Sequence, residues 1–187
     1  ESISRIRGQG GLSTTRLNQS MPRPLVALVG RPNVGKSSLF NRLAGQRLAV
    51  VDATPGTTRD RLIAKADWSG VDFDIVDTGG IDPVSVSSGK HAEPLSVDSA
   101  EYIEEIRAQA QFAIQSADIV LFLTEVTAGV TPADHEIARL LRKSQQNGHP
   151  PVFLVVNRCD SEPRRLEAVS FYELGMGDPY PISAIHG

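Results

Sequence analysis

The sequence has 187 residues, of which 40% are hydrophobic, 22% are charged and 5% are aromatic. This is the composition of one globular domain with enough apolar residues for a sizeable core. The formal net charge of -3 argues against a dedicated clamp for nucleic acid or for an anionic membrane. A single cysteine, Cys159, excludes an intramolecular disulfide and a cysteine metal cluster, and it fits a reducing compartment. We therefore expect a cytoplasmic protein.

The first 22 residues differ in composition from the rest of the chain. Residues 1–22 are rich in Ser, Gly, Arg and Gln and have no hydrophobic period, which predicts a disordered or vector-derived tail. No apolar run is long enough for a transmembrane helix, and the N-terminus lacks the apolar centre of a signal peptide. We expect residues 23–187 to form the folded domain, without membrane contact.

Strand patterns come next along the chain. Three continuous runs of β-forming residues indicate parallel strands that are buried on both faces, at 25–29, 119–124 and 152–156. Two alternating runs joined at Ser69-Gly70 predict a hairpin over 62–75, so that one edge strand is antiparallel. A last strand is predicted at 180–183.

Helical patterns alternate with these strands. They are predicted at 37–43, at 99–117, and from Pro132 to a stop at Asn147-Gly148, with Thr131 as the N-cap. The order of elements indicates a doubly wound α/β fold with a mostly parallel sheet. A closing helix after the last strand is missing, so we expect a fragment of a longer protein. The long segment between Gly79 and Asp98 indicates a functional loop.

A glycine-rich motif follows the first predicted strand and opens the first predicted helix. The sequence GRPNVGKS fits G-x-x-x-x-G-K-[ST], in which backbone N–H groups and the helix N-terminus bind phosphate oxygens. Lys36 would reach the β- and γ-phosphates, and Ser37 can bind Mg²⁺. The predicted phosphate-binding residues of this loop are Gly30, Arg31, Pro32, Asn33, Val34, Gly35, Lys36, Ser37 and Ser38.

The choice of base is predicted by the segment Asn157-Arg158-Cys159-Asp160. It follows a predicted strand at the carboxyl edge of the sheet, where open α/β sheets bind ligands. The carboxylate of Asp160 can accept hydrogen bonds from N1–H and the 2-amino group of guanine, whereas adenine offers neither donor. The segment therefore favours GTP over ATP and argues against an ATP-dependent kinase.

With the phosphate loop, this segment resembles the N-K-x-D motif of the translation-factor-related P-loop GTPases, which have a Ras-like G domain. The present chain has Arg158 where lysine is usual, and Arg keeps the cation and can lie flat over a base. Ser183-Ala184 matches the short fifth motif of these proteins. The resemblance implies guanine-binding roles for Asn157, Arg158, Asp160, Ser183 and Ala184.

The same resemblance extends to the two switch motifs. Asp77-Thr78-Gly79-Gly80 matches D-x-x-G, in which Asp77 holds Mg²⁺ through water and the N–H of Gly80 senses the γ-phosphate. In the first switch, TPGTTRD, the family pattern selects Thr58 rather than Thr57 to complete the Mg²⁺ shell. The implied magnesium ligands are Ser37, Thr58 and Asp77. The implied catalytic residues are Lys36, Thr58 and Gly80. The implied further phosphate contacts are Asp77, Thr78, Gly79, Gly80 and Ile81.

Two positions concern the hydrolysis step. Ile81 stands where Ras-like proteins have a glutamine that orients water, and an alkyl side chain cannot do so. Water must therefore be positioned by backbone groups, a cation or a switch residue, for which Asp60 and Asp82 are the acidic candidates. In relatives of this branch the residue equivalent to Asn33 belongs to a K⁺ site, which implies K⁺ as a second cofactor.

Longer stretches narrow the resemblance to the Era/TrmE/EngA branch. The runs GRPNVGKSSLFNRL, TPGTTRDR, VDTGGIDP and GVTPADHEIARLLR resemble the first G domain of the EngA/Der family. That family implies a second G domain, a KH-like domain and assembly of the large ribosomal subunit. The ribosomal contact would involve parts absent from this sequence, without direct nucleic-acid contact by this domain. The departures are Arg158 and Thr124-Glu125, where relatives commonly have Val-Asp.

Alternative interpretations remain open. The chain could be a nucleotide-bound regulatory module with negligible hydrolysis in isolation, or an Era/TrmE-like GTPase. The presence of Ser37, Thr58 and Asp77 together favours a Mg²⁺-dependent GTP-hydrolysing switch. Cys159 is expected to be a small packing residue, and Asp118 is expected to be a turn residue before a strand.

Overall fold

The computed structural model describes residues 22–45, 50–52, 61–80, 100–145, 148 and 150–186. Helices alternate with strands along these ranges, except that three strands follow the first helix in succession. In chain order they are β1 (Leu25–Val29), α1 (Lys36–Ala44), β2 (Val50–Asp52), β3 (Arg61–Trp68), β4 (Val71–Asp77), α2 (Ala100–Ser116), β5 (Ile119–Glu125), α3 (Pro132–Gln145), β6 (Val152–Asn157), α4 (Glu162–Glu167) and β7 (Tyr180–Pro181).

The described strands form one sheet in the order β2-β3-β4-β1-β5-β6-β7. β4, β1, β5, β6 and β7 pair in parallel, while β3 pairs antiparallel with both β2 and β4. The predicted fold class, a doubly wound and mostly parallel sheet, is confirmed. The antiparallel strand, however, is not at the edge, because the short strand β2 pairs outside it.

Burial of the central strands on both faces explains their continuous apolar runs. In β1, Val26 and Leu28 pack into the core beneath α1, whereas Ala27 and Val29 pack into the core beneath α2 and α3. A strand with two cores on opposite faces has no polar alternation. The run LVALV was therefore sufficient to predict this strand as parallel.

The predicted helices are present with small differences at their ends. α3 begins as expected, since the Thr131 hydroxyl donates to Asp134 Oδ2 at 2.7 Å and the Asp134 N–H donates to Thr131 Oγ1 at 3.3 Å. On α2, Ile106, Ala110 and Ala113 are buried as the predicted stripe requires. Asp118 lies in the bend between α2 and β5, as predicted, and it accepts a hydrogen bond from the Leu25 N–H of β1 at 2.7 Å.

Three short elements were not predicted or differ from the prediction. α4 continues into a 3₁₀ segment at Ala168–Leu174, whose Phe171 and Leu174 are buried in the core beside α3. α4 itself has no buried residue, so it has no apolar stripe that a sequence pattern could detect. β2 was missed, and β7 ends at Pro181 rather than at residue 183.

Several predicted features lie outside the described residues. They are residues 1–21 of the tail, the first switch with Thr57, Thr58 and Asp60, and the segment 81–99 with Ile81 and Asp82. Within the described ranges, none of the helices combines the length and the apolar character that a membrane span requires.

Candidate nucleotide-binding site

The phosphate loop lies between β1 and α1, at the carboxyl edge of the sheet. Gly35 has φ 98° and Asn33 has φ 65°, so the loop uses the left-handed region twice within three residues. A Cβ at position 35 would lie 2.2 Å from Nδ2 of Asn157. Glycine is therefore required at 35 by its backbone angle and by the close approach of the base segment.

Lys36 is the first residue of α1, and its side chain is buried. Its Nζ donates to the carbonyl oxygens of Gly30 at 2.7 Å and Arg31 at 2.9 Å. Burial lowers the pKa of Lys36 to about 8, and the carboxylate of Asp77 opposes this shift. The ammonium group is thus held against the loop, where an anionic ligand would stabilise its charged form.

Ser37 and Asp77 bring two oxygen ligands together from α1 and the end of β4. The Ser37 hydroxyl donates to Asp77 Oδ2 at 2.8 Å, and the Gly79 N–H donates to Asp77 Oδ1 at 2.8 Å. The second contact fixes the carboxylate and directs its other oxygen at the hydroxyl. A hydroxyl and a carboxylate are the hard donors that Mg²⁺ takes beside phosphate oxygens, so this pair fits the predicted ion.

The second switch motif begins at Asp77 and turns immediately into a 3₁₀ turn, Thr78–Gly80. The Thr78 side chain is buried, and its hydroxyl donates to the carbonyl oxygen of Leu28, so only its backbone can face the phosphate loop. A Cβ at position 79 would lie 2.4 Å from Cε of Lys36. Gly79 therefore permits the second switch to approach the phosphate-loop lysine.

Asn157, the last residue of β6, connects three segments. Its Nδ2 donates to the carbonyl oxygen of Val34 at 2.8 Å, and its Oδ1 accepts from the Ala184 N–H at 2.9 Å. The side chain is buried, and both hydrogen bonds lie out of water. Asn157 therefore fixes the phosphate loop and the Ser183-Ala184 segment to the end of the same strand.

Asp160 lies at the exposed end of this arrangement. Its Oδ1 accepts a hydrogen bond from the Ser183 hydroxyl, and its Oδ2 pairs with Arg164 Nη1 at 3.1 Å. The Ser183 hydroxyl lowers the pKa of Asp160 below its usual value, with a smaller contribution from Arg164. Asp160 is therefore an oriented carboxylate, which is the form that accepts hydrogen bonds from guanine.

Arg158 leaves β6 in the left-handed region, with φ 64°. Its Nη2 donates to the carbonyl oxygen of Asn33 at 3.0 Å, and its Nε lies 2.8 Å from Glu125 Oε2.

Cys159, the next residue, is buried, and burial raises the pKa of its thiol. The predicted packing role of Cys159 agrees with this environment.

The predicted site residues that the structure describes lie along one edge of the sheet, in the phosphate loop, at the end of β4 and around the end of β6. Val34 is buried in the core, and Ser38 is exposed on α1. Two contributing residues were missed, Glu125 and Arg164. Arg164 lies four residues after Asp160 on a short helix, a spacing that could have indicated the pair.

Sequence comparisons find proteins similar to this chain among the GTPases. Residues 25–158 match the family model of the 50S ribosome-binding GTPases. The chain is 47% identical over 167 residues to GTPase Der of Limosilactobacillus fermentum, which covers 89% of this chain and 34% of that protein. GTPase Der of Staphylococcus saprophyticus is 45% identical with the same coverage. The chain thus spans about a third of the length of these curated relatives.

The fold is similar to a solved GTPase structure. The crystal structure of an Era variant from Aquifex aeolicus bound to GDP and AlF₄⁻ has a TM-score of 0.58 and 27% identity, and covers 89% of this chain and 53% of that one. This chain therefore belongs to the family of 50S ribosome-binding GTPases.

Proposed function

We propose that the chain is a Mg²⁺-dependent GTP switch in which the phosphate loop and the second switch share one metal site. The observation that carries the proposal is the 2.8 Å contact between Ser37 Oγ and Asp77 Oδ2, next to the buried ammonium of Lys36. These three side chains come from two segments about 40 residues apart. Their convergence supports phosphate and metal binding at this edge of the sheet.

In this proposal Lys36 exchanges its two loop carbonyl contacts for phosphate oxygens. Ser37, Asp77 and Thr58 would hold Mg²⁺, which neutralises charge on the β- and γ-phosphates when bound. The backbone N–H groups of the phosphate loop from Gly30 to Ser38, except at Pro32, which has none, bind the remaining phosphate oxygens together with those of Thr78–Gly80 and Ile81. The side chains of Arg31 and Thr78 are engaged elsewhere, so their contribution is from the backbone.

The guanine base would lie between Arg158 and the Ser183-Ala184 segment. Asp160 accepts from N1–H and the 2-amino group, Asn157 fixes the surrounding backbone, and Arg158 packs its planar guanidinium or its stem on the base. The Ser183 hydroxyl orients the Asp160 carboxylate before the base arrives. This preorganisation favours guanine over adenine.

Hydrolysis in this proposal does not use a glutamine. Ile81 replaces it, so the attacking water is positioned by backbone groups such as Gly80 N–H, by Thr58, or by a cation. We propose K⁺ as that cation, with Asn33 as a ligand. The Asn33 backbone carbonyl accepts a hydrogen bond from Arg158, and the proposed ligand of the ion is the side-chain amide oxygen of Asn33.

We extend the proposal to the whole protein by family membership. Residues 1–22 are a tail and residues 23–187 are the G domain, which would function with a second G domain and a KH-like domain. The partner is the large ribosomal subunit, contacted through those other domains, in the cytoplasm. The description of the matching family, 50S ribosome-binding GTPase, supports a ribosome-related role.

Phosphate release from GTP tests the proposed site. We expect slow turnover with Mg²⁺ and none with EDTA, and faster turnover in KCl than in NaCl at equal ionic strength. Asn33→Ala should abolish the difference between the two salts. A chain that binds GTP tightly but releases no phosphate under any of these conditions would instead be a regulatory module.

Single-turnover hydrolysis of three variants tests the assigned roles. Lys36→Ala and Asp77→Ala should lose activity by several orders of magnitude, because they remove charge stabilisation and metal support. Ile81→Ala should lose little, because an alkyl side chain takes no part in the chemistry. A loss in Ile81→Ala as large as that in Lys36→Ala would contradict the proposed second switch.

A further inference from the structure

Glu125 is a buried carboxylate at the end of β5, and no motif assigns it a role. It is 6% exposed, and it lies opposite Asn157 in the β5–β6 register. Oε1 accepts from Arg31 Nη2 at 3.1 Å, and Oε2 lies 2.8 Å from Arg158 Nε. Each carboxylate oxygen is therefore paired with a different arginine.

These two arginines belong to the two halves of the nucleotide site. Arg31 is the second residue of the phosphate loop, and Arg158 is the second residue of the base segment. Arg158 also donates to the carbonyl oxygen of Asn33, again in the phosphate loop. Glu125 and Arg158 thus connect the phosphate loop to the base segment independently of the Asn157 hydrogen bonds.

The two arginines depend on the charge of Glu125 to different degrees. Arg31 is also 3.4 Å from Asp134, a fully buried carboxylate on α3, so it keeps one partner if Glu125 is neutralised. Arg158 has no second carboxylate among its ion pairs in the described residues, and its side chain is 45% exposed. Without the charge of Glu125, Arg158 would move toward water, because solvation then competes with a single carbonyl contact.

Glu125 and Arg158 lie in direct contact at the ends of the neighbouring strands β5 and β6. Arg158 can contact Glu125 and the phosphate loop at once, because its guanidinium presents Nε to Glu125 and Nη2 to the carbonyl oxygen of Asn33. A lysine has one terminal nitrogen for both contacts.

We propose that Glu125 is a positioning residue that sets guanine-nucleotide retention by holding Arg158 and the phosphate loop in one arrangement. This inference rests on the proposed base-binding role of Arg158. Glu125 does not touch the nucleotide in this proposal. Its effect is on how long the nucleotide stays bound.

Dissociation of fluorescent mant-GDP from this chain is the measurement. Glu125→Gln keeps the shape and removes the charge, and we expect GDP to dissociate about tenfold faster. Glu125→Asp keeps the charge on a shorter side chain and should lose less than Glu125→Gln. Glu136→Gln is the matched control, because Glu136 also pairs with two arginines, Arg107 and Arg139, but away from the site.

A double-mutant cycle separates positioning from simple destabilisation. If Glu125 acts through Arg158, then Arg158→Gln and the double variant Glu125→Gln/Arg158→Gln should have similar dissociation rates. Independent effects would instead multiply to about a hundredfold, which would overturn the proposal. So would wild-type dissociation from Glu125→Gln, or an equal effect of Glu136→Gln.

Two measurements keep the outcomes distinct. If Glu125→Gln does not fold, the same cycle is run with Glu125→Asp. Independent effects of Glu125→Asp and Arg158→Gln on the rate of mant-GDP dissociation would then overturn the proposal in the same way. Unfolding of each variant in urea shows whether a faster dissociation accompanies a loss of stability. A wild-type chain that does not bind mant-GDP contradicts the proposed function itself, whereas normal wild-type binding with an unaffected Glu125→Gln contradicts only this inference.

Discussion

Asn157 Nδ2 lies 2.8 Å from the carbonyl oxygen of Val34, although the two residues are 123 positions apart. The other end of the same amide accepts from the Ala184 N–H at 2.9 Å. One buried side chain therefore joins the phosphate loop, the end of β6 and the segment after β7. Its two hydrogen bonds are satisfied only when all three segments are in place.

Asn157→Ala should lose about 2 kcal/mol of unfolding free energy, because a buried carbonyl and a buried N–H each lose their partner. GDP affinity should fall as well, since the phosphate loop and the Ser183-Ala184 segment are no longer held together. Urea unfolding and calorimetric titration with GDP measure the two effects. Asn41→Ala, at an exposed position of α1, is the control and should change neither.

Gly79→Ala tests the contact between the second switch and Lys36. The added Cβ would lie 2.4 Å from Lys36 Cε, so the lysine must move away from the loop carbonyls. We expect GTP affinity to fall at least about tenfold, as for a displaced charged contact. Gly70→Ala, in the open β3–β4 turn at φ 80°, should cost about 1 kcal/mol of stability and leave GTP affinity unchanged. Equal affinities of the two variants would contradict the close approach.

The pKa of Lys36 predicts a pH dependence of nucleotide binding. The pKa is about 8 in the nucleotide-free protein, and phosphate oxygens favour the protonated form. GDP affinity should therefore fall as pH rises through 8, and be about tenfold weaker at pH 9 than at pH 7. Lys36→Arg stays protonated throughout and should show a flatter profile. Titration of the guanine base would affect both proteins, so the difference between the two profiles isolates the titration of Lys36.

The same group predicts the stability of the nucleotide-free protein. The folded pKa of about 8 lies below the ordinary value of 10.5, so the unfolded chain binds more protons at Lys36 between these two pH values. The contribution of Lys36 to the unfolding free energy therefore rises from pH 8 to pH 10.5. Urea unfolding at pH 8 and pH 10 should show this rise in the wild type and lack it in Lys36→Met. A wild-type minus Lys36→Met difference that falls over this range would contradict the low pKa.

Asp160→Asn should change the base preference from guanine to xanthine. The amide can donate to the 2-oxo group of xanthine, whereas the carboxylate accepts from the 2-amino group of guanine. Competition between GDP and XDP for mant-GDP sites measures the change. Arg164→Ala removes only the exposed partner of Asp160 and leaves the Ser183 hydrogen bond, so it should keep guanine preference. An Asp160→Asn variant that still prefers GDP would contradict the assigned contact.

Local patterns in the sequence determined the main elements and most candidate residues. The run LVALV followed by GRPNVGKS predicted a buried parallel strand, a phosphate loop and a helix, because strand period, glycine freedom and helix initiation depend on adjacent residues. The Thr131-Asp134 cap on α3 was predicted for the same reason. The family resemblance added Asp77 and the Ser183-Ala184 segment, which are too short to identify alone.

Tertiary structure decided the contacts between distant segments. β3 is not the edge strand, because β2 pairs on its outer side. β2 has only three residues, which is too short for a hydrophobic period to be recognised. The connection from Asn157 to Val34 and Ala184, and the Glu125 pairing with Arg31 and Arg158, join residues separated by 27 to 123 positions. A side chain's residue type states what it can bind, but only packing of the strands at one edge of the sheet decides which distant group it reaches.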